Sequence, residues 1–284
     1  MATFTNQATL SYNGGVTNSN IVTGELVEVL SAVKTAVTDT YTPEGTVTYL
    51  IHIVNTGTVP YTGLTLTDNL GAYPFGEDNL VPLTYEDGSV KVFVNGVLQA
   101  APTVVSAAPL TLDGITVPAG GITEVAYAAA INRYAPLATG GTIVNTATIS
   151  GARLTTPLTV TETVTVAEAS RLSISKEISP TTVSENARLT YTFRIRNYGN
   201  AAATEADNAV ISDTFDPRLS DLTVTYNGTP WTAGTDYVYD ATTGIFTSVA
   251  GRVTVGAATF ATDPVSGAVT VTPGVGTLIV SGIV

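Results

Sequence analysis

Apolar and polar positions alternate along most of this chain in short runs, the pattern of half-buried β-strands. The first dozen residues show it clearly. Phe4, Asn6, Ala8, Leu10 and Tyr12 share one face, and Thr5, Gln7, Thr9 and Ser11 share the other. An interior segment, Thr142–Ser150, writes the same strand again, with Ile143, Asn145, Ala147 and Ile149 on one face. Residues 12–20 are rich in turn formers and read as a polar link, within which Asn13-Gly14 is a hairpin or loop signal. Residues 21–29 resume an extended pattern. Over residues 30–150, short alternating runs are punctuated by Pro43-Glu-Gly45, Asn55-Thr-Gly57, Asp87-Gly88, Asn95-Gly96 and Asp113-Gly114. Turn signals at that spacing predict a β-sandwich, and a second run of the same kind fills residues 172–284.

The two runs repeat each other. Residues 46–57 (TVTYLIHIVNTG) match residues 188–199 (RLTYTFRIRNYG) at an offset of 142, and Lys34 matches Lys176 at the same offset. Leu64-Thr-Leu-Thr-Asp68 matches Ala209-Val-Ile-Ser-Asp213 at an offset of 145, and residues 117–121 match residues 272–276. A fixed-period self-match marks a repeated structural unit. In the first repeat the chain runs on through residues 132–141 into the Asn145 strand, whereas the second repeat is expected to stop short of such a strand. The expected division is a donor strand and linker over residues 1–25, a first sandwich over 26–152, a connector strand over 153–171, and a second sandwich over 172–284 that lacks its final strand.

A sandwich without its last strand presents an apolar groove beside an unpaired edge, and such edges recruit strands. The N-terminal copy is the expected recruit, added as a β-strand from a neighbouring subunit. Donor and groove lie at opposite ends of the chain. The contact is therefore head to tail and propagates into a filament unless it closes a ring. In the alternative, the N-terminal strand folds back onto its own second domain, and its linker must cross the length of the first.

Composition narrows the function classes. With 284 residues, 26 of them glycine and only 12% charged, the chain is long enough for two all-β domains. A net charge of −12 repels phosphate backbones, so nucleic acid is not an expected partner. The absence of cysteine rules out disulfides and thiolate metal sites. No apolar run approaches the ~20 residues of a membrane span. The start Met1-Ala-Thr-Phe4 lacks a basic and an apolar stretch, so no signal peptide is expected. His52 is the sole histidine, which leaves no Ser-His-Asp or Cys-His constellation. No enzymatic activity, cofactor or metal is expected. The acidic stretches Glu77-Asp78 and Glu86-Asp87-Gly88 lack the alternating spacing of a calcium loop. Trp231, following Asn227-Gly-Thr-Pro230, reads either as packing or as a platform for a sugar.

Three polar residue types interrupt otherwise apolar faces. Lys34 shares a face with Leu30, Ala32 and Ala36, and Lys176 with Leu172, Ile174 and Ile178. Asp68 alternates with Leu64, Leu66 and Leu70, and Asp213 falls between Ile211 and Phe215; Asn145 and Asn6 lie among the apolar residues of their strands. Burying Lys, Asp or Asn is costly unless they satisfy one another. Burial lowers a lysine pKa and raises that of a carboxylic acid. A neutral amine beside a carboxamide polarised by a neutral acid is set up to form a Lys–Asn amide with loss of ammonia. The alternative is a plain buried ion pair in each domain, Lys34–Asp68 and Lys176–Asp213.

The order of Lys, a Thr-Tyr strand, Asn-x-Gly, Thr/Ser-Asp and Asn-Thr-Ala-Thr resembles the repeat domain of bacterial surface proteins catalogued as domain of unknown function number eleven. It is also similar to the isopeptide-forming immunoglobulin-like domains of Gram-positive pilins and adhesins. The resemblance covers residues 30–150 and 172–284 and implies two tandem immunoglobulin-like sandwiches. It also implies one triad of Lys34, Asp68 and Asn145, Asp68 promoting the crosslink. Lys176 and Asp213 lack a third member, which Asn6 of another subunit would supply. The expected function is a structural subunit that polymerises with copies of itself into an extracellular fibre on a cell or spore surface. The alternative is a monomeric surface adhesin. The missing leader makes assembly inside a sporulating mother cell, with release on lysis, one expected route.

Overall fold

Val47, Tyr49, Ile51 and Ile53 alternate with more exposed residues along the strand Thr46–Asn55, and all four are fully buried. This strand is the spine of the first sandwich in the computed structural model, which describes residues 2–284. It pairs on one side with Ile122–Ile131 and on the other with the Lys34 strand, Leu30–Ala36. The facing sheet runs Thr103–Ala107, Leu110–Val117, the Asp68 strand (Tyr61–Asp68), the Asn145 strand (Thr142–Ser150), Leu158–Val166 and the short Thr40–Tyr41. The stretch 153–171, expected as a connector, thus contributes Leu158–Val166 to the first sandwich. It is the return arm of a hairpin with the Asn145 strand, registered Asn145↔Glu162, and it lies against the Lys34 strand.

The second sandwich reproduces one sheet in full. The Lys176 strand (Leu172–Ser179), Arg188–Asn197, Gly274–Ile283, Ser220–Tyr226 and Thr229–Pro230 run in that order. Its other main sheet is reduced to Ser212–Thr214, Ile245–Ser248 and Tyr237–Asp240. Ser212–Thr214 carries Asp213, and among the described residues no strand pairs with its outer edge. The fold is therefore all-β, two tandem immunoglobulin-like sandwiches of unequal completeness.

The two sandwiches dock through Asn200. Its side chain donates to the carbonyls of Leu137 and Ala167 (3.3 and 3.2 Å) and accepts from the Ala169 amide at 3.0 Å. Arg133 accepts a backbone bond of 2.8 Å from Val269, in a hairpin of the second sandwich.

Residues 12–20, expected as a polar link with a hairpin or loop signal at Asn13-Gly14, turn the chain back on itself at that signal. Asn13 and Gly14 both take positive φ, 37° and 83°. Two consecutive left-handed residues make the two-residue turn whose twist suits an antiparallel pair. Thr9–Tyr12 accordingly pairs with Gly15–Asn18, and Ala2–Asn6 with Val22–Leu26. Among the described residues, the N-terminal segment is a hairpin that pairs with no strand of either sandwich. Phe4, Leu10 and Tyr12 are each more than half exposed.

Candidate crosslinking site

Alternation on four strands delivers Lys34, Asp68, Tyr127 and Asn145 to one place in the first core, where all are buried. Lys34 Nζ donates to Asp68 Oδ2 at 2.6 Å. Tyr127 donates its hydroxyl to the same oxygen at 2.6 Å and accepts from Asn145 Nδ2 at 3.0 Å. The other Asp68 oxygen accepts the Leu70 amide at 2.9 Å, and Asn145 Oδ1 accepts the Gly71 amide at 3.1 Å. Gly71 has φ +72°, and a Cβ there would stand 2.5 Å from Ile143. Only glycine lets this turn close onto the Asn145 strand.

The electrostatics bring the Lys34 amine closer to neutrality. Burial lowers the Lys34 pKa from its ordinary value to about 8, partly offset by Asp68 and, to a smaller extent, by Glu162. The ammonium also lies over the Tyr49 ring, 4.7 Å from its centroid. Burial, then the nearby Asp68 carboxylate, hold the Tyr127 hydroxyl well above the ordinary tyrosine range, so it stays protonated. Chemically, the set can pass protons in a line. A neutral Lys34 amine adding to the Asn145 carboxamide carbon forms a C–N bond while the bond to Nδ2 breaks. Tyr127 touches that departing nitrogen, and Asp68 can return a proton to Tyr127 as it takes one from Lys34. Ammonia leaves, and the atoms balance.

The second site differs in two ways. Lys176 and Asp213 meet, and Lys176 lies over Tyr191, but their side chains are 39% and 20% exposed. Sequence alternation placed both inside a core; with no strand across the Asp213 edge, they face solvent on one side. Leu172, Ile174 and Ile178 are exposed with them, at 41%, 56% and 43%, whereas Leu30, the counterpart of Leu172, is 5% exposed. Leu172, Ile174, Ile195, Ala209, Ile211 and Val253 line an open groove along this gap. Asn6, the proposed third member, lies on the free hairpin opposite Val22. The structure thus brings Lys34, Asp68 and Asn145 together and leaves Lys176 and Asp213 as a pair, with Asn6 apart from them.

Tyr127 was not singled out from sequence. It sits in the run Val125-Ala-Tyr-Ala-Ala129, where a tyrosine counts as one more apolar position; the signal available was its place across the sheet from Tyr49. Trp231 stacks on Tyr226, ring centroids 5.1 Å apart, and packs against the second core.

No family model and no curated protein matches the chain. Among solved structures, it is similar to BcpA, the major pilin subunit of Bacillus cereus, at 13% identity over 96% of this chain and 73% of that one, with a TM-score of 0.36. The pilus backbone protein RrgB of Streptococcus pneumoniae matches at 13% identity over 86% and 56% of the two chains, TM-score 0.33. The collagen-binding domain of a Staphylococcus aureus adhesin matches at 14% identity over 50% and 99%, TM-score 0.31.

Proposed function

We propose that this protein is the structural subunit of an extracellular bacterial fibre, each copy giving its N-terminal Phe4–Tyr12 strand to the second sandwich of the next. One observation carries the reading. In the first sandwich the Asn145 strand fills the edge beside Asp68, registered Ala147↔Asp68, and in the second the edge beside Asp213 stands open over an apolar groove. Phe4, Asn6, Ala8 and Leu10 repeat Ile143, Asn145, Ala147 and Ile149, so the donor strand fits that edge with Asn6 beside Lys176. Amides Lys34–Asn145 within a subunit and Lys176–Asn6 between subunits would then lock the fibre.

The test is the state of the purified, untagged protein before and after boiling in denaturant, compared with a variant lacking residues 1–28. The wild type should sediment as polymer and the truncated protein remain monomeric. A boiling-resistant ladder lost in both Asn6→Ala and Lys176→Ala would establish the intersubunit amide. A monodisperse wild-type monomer would overturn the reading.

A further inference from the structure

We propose that the element passed between subunits is the whole hairpin Ala2–Leu26, and that its second arm pairs in parallel with Thr182–Val183 of the acceptor. This rests on the strand-donation reading above and specifies the second half of the same interface.

The first sandwich shows what a complete edge requires. It is closed by two strands, because the Asn145 strand turns back through Leu158–Val166, and that return arm does separate work. It lies along the Lys34 strand, and its end pairs in parallel with Thr40–Tyr41, registered Thr165↔Thr40 and Val166↔Tyr41. The Thr165 amide also donates to the Asp39 carbonyl at 2.9 Å. At the offset of 142 that joins Lys34 to Lys176, the counterparts of Thr40 and Tyr41 are Thr182 and Val183. Those residues form no strand and pair with nothing among the described residues. A single donated strand would fill the Asp213 edge and leave this second site, and the exposed Ile174 and Ile178, uncovered.

The N-terminal segment has the matching shape. Opposite residues of an antiparallel pair share a face. In the hairpin, Val22 stands opposite Asn6 and Gly24 opposite Phe4, as Glu162 stands opposite Asn145 and Val164 opposite Ile143. The Phe4 ring lies over Gly24, where a Cβ would be only 2.4 Å away, so one aromatic fills the space that Ile143 and Val164 share. The acceptor compensates in the same sense, with Ile174 and Ile178 in place of Ala32 and Ala36. The exit from the hairpin also repeats. Thr56 donates its amide to Val29 at 2.8 Å, and its counterpart Tyr198 donates to Arg171 at 2.9 Å. Each sandwich therefore receives its preceding hairpin through the same backbone contact. By this equivalence Glu25 takes the place of Thr165, which sets the register Glu25↔Thr182 between subunits.

The chain has no cysteine, so paired cysteines report the two arms separately. Thr9→Cys with Ser212→Cys tests the first arm, at the counterparts of Thr148 and Thr67, which are paired in the first sandwich. Glu25→Cys with Thr182→Cys tests the second. All four residues are exposed in the free subunit, and Asn6→Ala in both backgrounds removes the amide as a source of ladders. Neighbouring strands hold Cα atoms within disulfide reach. After mild oxidation of the polymer, both pairs should give ladders on a denaturing gel that reduction collapses. A ladder from the first pair alone would overturn hairpin donation and leave single-strand donation standing. Ladders from neither pair, or disulfides confined to monomers, would overturn strand donation itself.

Discussion

Val280 occupies in the second sandwich the place that Tyr127 occupies in the first. Tyr127 is registered opposite Tyr49, Val280 is registered opposite Tyr191, and Tyr191 is the counterpart of Tyr49. The hydroxyl that joins Asp68 to Asn145 thus has no equivalent beside Asp213. If Tyr127 carries the proton to the departing ammonia, Tyr127→Phe slows amide formation in the first sandwich by about 10²-fold, the ordinary contribution of one positioned proton carrier. Val280→Tyr speeds formation of the Lys176–Asn6 bond. Intact mass followed during refolding gives both rates, each event removing one ammonia. An unchanged rate in Tyr127→Phe would exclude the relay.

The two ion pairs should respond differently to loss of the acid. Asp68→Ala strands Lys34 in a dry core and is expected to cost about 3–5 kcal/mol. Asp213→Ala removes the partner of a lysine whose side chain is 39% exposed, and in the free subunit should cost under about 1 kcal/mol. Denaturant unfolding of both variants in an Asn145→Ala, residue 1–28-deleted background isolates the pairs from either crosslink. Equal losses would mean that the second site is as buried as the first.

Stability of that same background should rise with pH above about 8. Folded Lys34 holds its proton less tightly than the unfolded chain does, so between about 8 and its ordinary 10.5 the unfolded state binds more protons. Stability therefore increases with pH across this window. Burial pushes Tyr49 and Tyr127 above the ordinary 10, so near that pH the unfolded chain begins to lose tyrosine protons that the folded protein keeps, and stability falls. The result is a maximum a little below pH 10, with a net gain from pH 8 of about 1 kcal/mol, Lys34 alone contributing at most about 1.4 kcal/mol for each unit of pH crossed. Urea midpoints between pH 7 and 11 check the shape. Lys34→Met should flatten the rising limb.

The sandwiches and the burial of Lys34, Asp68 and Asn145 were legible from period-two alternation, which needs no tertiary information; that the three meet in one triad was implied by the resemblance to isopeptide-forming domains. The return arm Leu158–Val166 alternates as cleanly as any strand; it read as a connector only because the matching stretch in the other repeat is nearly featureless. That stretch, residues 15–26, carries Gly15, Asn18, Ser19 and Gly24, and its strand character comes from the Asn13-Gly14 turn and its opposite arm rather than from its own residues. The match of residues 117–121 to 272–276 is displaced by two. Gly274, not Gly276, lies opposite Asn197 as the start of its strand, and it fits there because a Cβ would meet the Gly256 carbonyl at 2.0 Å. An even displacement keeps every side chain on its proper face, so alternation alone gave no warning.

The hairpin and the Asn145 strand each precede a lysine, and that order decides where tension would run in a fibre with both amides formed. A pull entering at Asn6 passes along the hairpin to Lys34, crosses to Asn145, follows Leu158–Val166 to Lys176, and crosses to Asn6 of the next copy. Residues 35–144 and 177–284, most of both sandwiches, lie off that line. With both amides in place, neither core would be drawn out by force. In such a fibre the length a pull would release is the slack between Asn6 and Val22 and between Asn145 and Glu162, each folded into a pair of strands, the second of them held on both outer edges by Tyr61–Asp68 and Thr40–Tyr41.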